Sequence, residues 1–478
     1  MIDELGPYSA MKDSGAEWLG EVPVHWKVVK LRRYNQVFAG ATPSRAIPEY
    51  WDGGTIPWLA SGDVNLRRII GAKQFITQAG HTASSTKWIR PRSLVLALAG
   101  QGRTKGMVAT IECWTTCNQS LAAIEPSPRM SDHNFLAYYL QSRYLDIRSL
   151  VGDGLRDGLN LEHVRAIPTP LPPLPEQTAI TRFLDHTTSK IECYIRAKEK
   201  LISLLEEQKQ AIIHQAVTGQ IDVRTGQPYP AYKPSGVEWL GNVPVNWEIQ
   251  RAKRLFSLRT EKSGSAHGLE LLSIYTHIGV RPRKDLEEKG NKASTTDDYW
   301  IVKPGDLITN KLLAWMGAIG VSHYYGVTSP AYDILMPIVD LESDYYHLLF
   351  RTPTYLQQFK QYSRGIMDMR LRLYFDQFGQ IPVTVPRIED QQAIVEFCDK
   401  STIRVNDNIQ RTIRQVDLLR EYRTRLIADV ITGKVDVREA AAELPQIDSE
   451  THEYGENSIL SEPHSLNTRH DKEQEARL

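Results

Sequence analysis

The sequence is poor in the features that fix a class at first sight. Four cysteines in 478 residues (Cys113, Cys117, Cys193 and Cys398) are too few and too scattered for a disulfide framework. Cys113 and Cys117 have a ligand-like spacing, but no second Cys/His pair is placed to complete a zinc site, so they read as buried or partly buried thiols. No apolar run approaches the ~20 residues of a membrane span. The start, MIDELGPYSAMKD, is not a signal peptide. The expected setting is the reducing cytoplasm, away from membranes. The formal net charge is +0, so the whole chain lacks the basic excess that marks many nucleic-acid binders. Enzyme signatures are missing too. Gly100-Gln-Gly-Arg-Thr-Lys-Gly106 resembles a phosphate loop only superficially, because Lys105 precedes the last glycine where GxxxxGK[ST] needs it after. A turn between strands is the better reading. An Asn/Asp-Pro-Pro-Tyr/Phe run, with which an adenine methyltransferase holds a flipped base, is absent. The nearest Pro-Pro is Pro172-Pro173. His163 and Asp157, near Asn160, form no recognisable triad. No catalytic residue, cofactor or metal is expected.

What the sequence has is repetition, which is read before any local motif. Leu174 to Arg224 is matched by Ile388 to Arg438 at a constant offset of 214 positions: Gln177 with Gln391, Ile180 with Ile394, Phe183 with Phe397, Leu205 with Leu419. Each copy ends in Thr-Gly and Asp-Val-Arg, at Thr218 and Asp222 and again at Thr432 and Asp436. Apolar residues recur at helical steps, including Ile180, Phe183, Leu201, Leu205 and Ile212 in one copy and Ile394, Phe397, Leu419 and Leu426 in the other. Pro175 suits a helix start, and Gly219 and Gly433 suit helix ends. A helix of about 42 residues spans ~63 Å and needs a partner along its length. The other copy is the obvious one, giving a two-helix coiled coil. An insertion near Ala216–Asp222 is expected to be tolerated better than one within the stripe.

A second block repeats as well. Pro7 to Trp26 and Pro228 to Trp247 share 14 of 20 residues, 221 positions apart. With no shared nucleophile or paired acid, the block reads as a packed turn leading into a globular domain. Between block and helix lie two variable regions, about Lys27–Leu171 and Glu248–Pro386. A skeleton persists there: Trp88 with Trp300, Pro91 with Pro304, Leu94 with Leu307, Gly154 with Gly365, Asp157 with Asp368, Pro168 with Pro382. Short β-rich runs separated by Gly and Asn turns, followed by amphipathic helices, give each a mixed α/β (α+β) character. From Glu439 the chain holds ten Asp/Glu against three Lys/Arg and few large apolar residues, and is expected to be a disordered acidic tail. The expected domains are 7–173, a long helix at 174–226, 227–387, a second long helix at 388–438, and the tail at 439–478.

The SGxEWLGxVPxxW block, the LPPLPEQ run into a long helix and the TGxxDVR ending, the set present twice, resemble the specificity subunit of type I restriction–modification systems. The likeness covers nearly the whole chain except the tail. It implies two target recognition domains, each reading one half of a bipartite site in double-stranded DNA. It implies two antiparallel helices that fix the spacer, an internal pseudo-twofold repeat, and docking of two methyltransferase subunits, with restriction subunits joining through them. It also implies a subunit without catalysis of its own, serving DNA methylation and phage defence. A related, type IIB-like restriction system with other enzymes, or a helical repeat scaffold that binds protein, would carry some of the same features.

Charge partition bears on the DNA reading. Ser14–Pro170 holds 18 Lys/Arg against 12 Asp/Glu, and Ser235–Pro386 holds 17 against 16. The first region is therefore basic and the second near neutral, which suits a subunit working within a larger complex and equally a protein of modest affinity for DNA. Base readers need polar side chains on rigid turns. The candidates are Ser61, Asp63, Arg103, Lys105, Asn118 and Gln119 in the first region, and Tyr275, Arg281, Arg283, Lys311, Arg370 and Arg372 in the second. For each, the plain alternative is a solvated surface side chain.

Overall fold

The computed structural model describes residues 5–100, 102–151, 158–264, 268–276, 278–285, 297–365 and 371–445. Gly154, Asp157, Asp368, Arg370 and the tail past residue 445 lie outside the described residues. The chain forms two compact units: Met1–Tyr194 with Leu418–Leu478, and Ile195–Asp417. Two helices of 44 residues each, Leu174–Val217 and Ile388–Ile431, are divided between them.

The first unit holds a five-stranded sheet in the order Asn35–Ala39, Leu121–Pro126, Ser93–Ala97, Val108–Ile111, Arg68–Ile69. Neighbours are antiparallel except the last pair, which is parallel. Ser93–Ala97 is buried at all five positions, as the apolar run Leu94–Ala97 requires of a central strand. Helix His133–Ser142 follows, started by Asp132, whose carboxylate accepts from the Phe135 N–H at 2.8 Å. A second, three-stranded sheet is ordered Thr116–Cys117, Ile56–Leu59, Gln74–Ile76.

The second unit repeats the plan. Its sheet runs Phe256–Leu258, Tyr332–Pro337, Leu307–Asn310, Ile319–Val321, the order of the first four strands above. In both units an antiparallel pair joins the two ends of the variable region: Lys27–Lys30 with Pro168–Leu171, and Glu248–Arg251 with Pro382–Val385. Aromatic packing is heavier in the second core, where Phe256, Tyr345, Tyr346, Phe350, Tyr355, Phe359 and Phe378 meet.

The repeated residues have repeated tasks. Gln177 Nε2 donates to the carbonyls of Met130 and Pro172, both at 2.9 Å, and its Oε1 accepts from the Asp132 N–H at 2.8 Å. Gln391 does the same with Pro386 O at 2.8 Å and the Glu342 N–H at 2.9 Å. Each buried amide thus ties the start of a long helix to the N-cap of the short helix beside it. At the other end of the helices the pairing crosses between repeats. Gly433, at φ +76°, lies against Pro23 and Trp26 of the first block. Gly219, at φ +72°, lies against Pro244 and Trp247 of the second. A Cβ on Gly433 would sit 2.4 Å from Pro23 Cδ, so the left-handed turn and the close approach both require glycine there.

Within each unit the two helix segments lie side by side. In the second, Lys198 Nζ donates to Gln415 Oε1 at 2.7 Å and Lys209 Nζ to Asn406 Oδ1 at 2.8 Å, so one index rises as the other falls. In the first, Arg423 pairs with Glu192. Ile180, Phe183, Ile394 and Leu426 are buried, and Leu205, Ile212, Phe397 and Leu419 half-buried. Leu201 departs from expectation: it is 44% exposed, and Ile202, at 6%, takes its place. Steps of three and four residues connect Ile195, Lys198, Ile202, Leu205, Lys209, Ile212 and Ala216, and Leu201 is ~100° off that line.

Two further expectations need correction. The acidic tail does not begin at 439, because Arg438–Ala442 is helical with Ala440, Ala441 and Leu444 buried. Arg182 Nη2 donates to the carbonyls of Leu444 and Pro445 and fastens this segment to the first unit. The neighbourhood of Thr218, expected to tolerate an insertion better than the stripe, is closely packed. Ala216 and Val217 are fully buried, and the next turn packs on the second block.

Candidate nucleic-acid interface

Strand polarity in the first unit gathers polar residues at one end of the three-stranded sheet. Thr116–Cys117 and Ile56–Leu59 run parallel, so their C-terminal ends adjoin. Gln74–Ile76 runs antiparallel, so its first residue faces Trp58. Asn118 and Gln119 follow one strand, and Ser61 and Asp63 follow the next. The Asn118 N–H donates to Leu59 O at 2.9 Å, joining the two turns. Loop 40–47 lies over the same end: the Ala41 N–H donates to Cys117 O at 3.0 Å, and Thr42 Oγ1 donates to Gln119 Oε1. Four of the six sequence-derived candidates in this unit are therefore neighbours.

Residues that sequence reasoning missed sit among them. The Arg45 guanidinium lies 4.5 Å from the Trp51 ring centroid and 5.5 Å from that of Trp58. Its Nη2 donates to Gln74 Oε1 at 3.1 Å. Trp51 Nε1 donates to Ser44 O at 3.1 Å and Trp58 Nε1 to Ala41 O at 2.9 Å, so both indoles also hold the loop that carries Arg45. Neither spacing nor periodicity connects residues 45, 51, 58 and 74; only the fold does.

Other candidates have internal work. Asp63 Oδ2 accepts from the Ala60 N–H at 2.8 Å and shapes its own turn. Lys105 is buried, 5% exposed, and leaves the set of surface residues. The loop around it is fixed by Tyr144 Oη donating to Arg103 O and Arg148 Nη1 to Gly102 O, both at 2.7 Å, so the glycine-rich motif is a pinned turn. Arg103 is exposed and lines a cavity of about 530 Å³ with Arg67, Tyr138 and Arg423. His163 is a helix cap: its N–H donates to Asn160 Oδ1 at 2.9 Å, and its Nδ1 accepts from the Asn160 N–H at 3.3 Å. Burial pushes the Cys117 thiol up to about 12, as befits a core residue.

The second unit presents two groups. Tyr275, Arg281 and Arg283 share the hairpin Leu272–Tyr275/Gly279–Pro282 and its exit. Arg351 clamps the neighbouring turns, donating to Gly317 O at 2.8 Å, Ile319 O at 3.1 Å and Thr276 O. Beside it His347 Nδ1 accepts from the Val321 N–H at 3.3 Å, and burial, with Arg351 nearby, pushes its imidazole down to about 3. The second group is Lys311, Arg364, Arg372 and Tyr374, joined by main-chain bonds between 311 and 373 and between 364 and 372. Lys311 is already engaged, with Asp333 Oδ1 at 3.2 Å and Pro330 O at 3.1 Å. Burial raises the Asp333 carboxyl, and Lys311 opposes that rise. Arg372 is exposed, with Tyr374 Oη at 3.5 Å.

Comparison with known proteins finds relatives for this arrangement. Residues 23–202 match the type I restriction modification DNA specificity domain. The chain is 26% identical over 168 residues to the EcoR124I/EcoR124II specificity subunit of Escherichia coli, covering 34% of this chain and 41% of that one. It is 22% identical over 408 residues to the EcoBI specificity subunit of Escherichia coli, covering 76% and 80%. The chain spans less than half the length of the first curated relatives it matches. In fold it resembles a chain of a type I R-M system solved to describe complex assembly and conformational transition. The TM-score is 0.64, at 16% identity over 86% of this chain and 98% of that one. The chain is thus similar in sequence to type I restriction enzyme specificity subunits, and residues 23–202 carry the likeness to the type I DNA specificity domain.

Proposed function

We propose that this chain is the DNA-recognition subunit of a type I restriction–modification complex. Residues 7–173 and 227–387 act as target recognition domains, each reading one half of a bipartite duplex site. The long helices pair antiparallel as a coiled coil that sets the spacer. They dock two methyltransferase subunits, through which restriction subunits join, and those partners supply the chemistry. The observation that carries the reading is a constant frame with a changed end. Both units keep one strand order and one glutamine anchor, while the polar residues presented differ: Arg45, Gln74, Asn118 and Gln119 in one, Arg281, Arg364 and Arg372 in the other. A pseudo-twofold relation is supported by the bridges between helices. Adding 214 to Glu192 and Lys209 gives Asn406 and Arg423, so the pair Glu192–Arg423 and the pair Lys209–Asn406 join the same two repeat positions.

Base contacts specify and backbone contacts position. Exchanging Lys27–Leu171 for the matching region of another such subunit should therefore change one half of the methylated motif and leave the other half and the spacer as they were. Methylome sequencing of cells carrying the chimaera with its methyltransferase measures this. A motif altered in both halves would show that the domains do not read independently.

A further inference from the structure

The end of the three-stranded sheet carries one side chain built unlike an ordinary surface cation. Arg45 is exposed, yet held from three sides: by the faces of Trp51 and Trp58, and by the Gln74 amide at 3.1 Å. The two rings are themselves locked edge to face, with centroids 5.1 Å apart and planes at 89°. Their N–H groups anchor loop carbonyls 41 and 44 on the N-terminal side of Arg45. A surface arginine usually keeps most of its rotamer freedom, which must be given up on binding. Here that freedom is largely gone before any ligand arrives. The polar partner is a neutral amide, so the positive charge is not cancelled. Of the five N–H donors of a guanidinium, the Gln74 bond uses one.

From this geometry we infer that Arg45 is a specificity-determining residue, a preorganised fork that donates two parallel N–H bonds to O6 and N7 of a guanine in the major groove. The inference rests on the proposed recognition role and names one reader within it. Arginine bidentate to guanine matches donor and acceptor spacing in a way that a point charge cannot. Asn118 and Gln119 stand at the same sheet end and offer amides for neighbouring base edges. Gln74, Trp51 and Trp58 are positioning residues that aim the fork. The competing role for Arg45 is that of a latch closing loop 40–47 onto the sheet. The two roles separate under substitution, because lysine keeps a cation over the indoles but has no fork.

The test uses the full chain co-expressed with its methyltransferase partner in cells otherwise free of that methylation. Motifs are read by methylome sequencing for wild type, Arg45→Lys and Arg45→Ala. Wild type should give a bipartite motif with a G·C pair in the half assigned to residues 27–171. In both variants the preference at that one pair should fall at least about tenfold, the size expected for losing a bidentate contact. The other half and the spacer should be unchanged, and thermal unfolding should match wild type. If Arg45→Ala fails to fold, Arg45→Lys decides alone. An unchanged motif in the lysine variant, or methylation lost evenly across all sites, overturns the assignment. A wild-type chain that directs no bipartite methylation removes the proposed function itself, a result distinct from either.

Discussion

The two copies of the repeated block meet different carboxylates at the starts of the long helices. In the first unit Glu176, nearly buried, accepts from Tyr8 Oη at 2.7 Å and Trp26 Nε1 at 3.0 Å, with His25 Nε2 at 2.8 Å on its other oxygen. The matching residue in the second unit is Asp390, one methylene shorter. It pairs with Arg224 at 2.7 Å, while Tyr229 Oη and Trp247 Nε1 are buried without a hydrogen-bond partner among the described residues. The copies are therefore expected to respond unequally to the same change. Glu176→Ala strands two buried donors and should cost about 2–4 kcal/mol. Asp390→Ala removes an ion pair whose arginine is half exposed, and should cost about 1 kcal/mol or less. Denaturant unfolding of the two variants checks the order, and equal losses would contradict it. The block's tryptophans and tyrosines were legible in the sequence as packing residues. The Glu176 contacts were not, because they join residues 150 and 168 positions apart. The same limit hid Arg45, whose partners come from three separate segments. It also left Lys105 as a surface candidate, since burial of a lysine on a pinned turn leaves no local pattern.

For the long helices, period was legible and phase was not. The 214-residue offset and the three- and four-residue steps gave both helices and both of their glycine ends. The sequence offers apolar residues at 201, 202, 204 and 205, and a stripe can be threaded through either Leu201 or Ile202. Position 416, the equivalent of 202, is a buried valine, whereas 415, the equivalent of 201, is an exposed glutamine. That comparison between copies settles the phase. Lys198 and Lys209 obscure it locally, because they occupy seam positions and reach Gln415 and Asn406 with their amines. Ile202→Ala should accordingly cost about 2–4 kcal/mol, the range for truncating a buried aliphatic, while Leu201→Ala stays within about 0.5 kcal/mol. Urea unfolding of the pair tests this. A larger loss at Leu201 would place the seam on the wrong face. The element classes of the variable regions followed from composition and turn residues, but strand order did not, since it depends on which of several short runs pair, some across long gaps such as that between Ala39 and Leu121.

At the scale of the whole molecule, the proposed spacer role makes a quantitative demand on the helices. Adding seven residues to each, after Leu201 and after Arg414, keeps the three–four stripe in register, because a heptad turns the apolar face by only ~20°. The helices would lengthen by ~10.5 Å, close to three base pairs at ~3.4 Å each. Fold stability should survive, since no seam residue changes its neighbours away from the insertion. The original site should no longer be methylated. Sites with both halves unchanged and about three more spacer base pairs should replace it. Their methylation should be weaker, because three base pairs turn the duplex by ~105° while the stripe turns far less. A single insertion after Thr218 is a contrasting control. It moves Gly219 off Pro244 and Trp247, where an added Cβ would already approach Pro244 Cγ to 2.7 Å. That variant should lose stability instead of shifting the spacer, despite lying outside the stripe. Methylome mapping and thermal unfolding of the two variants read the outcome. If the heptad variant continues to methylate the original spacer, the helices do not set the distance between half-sites.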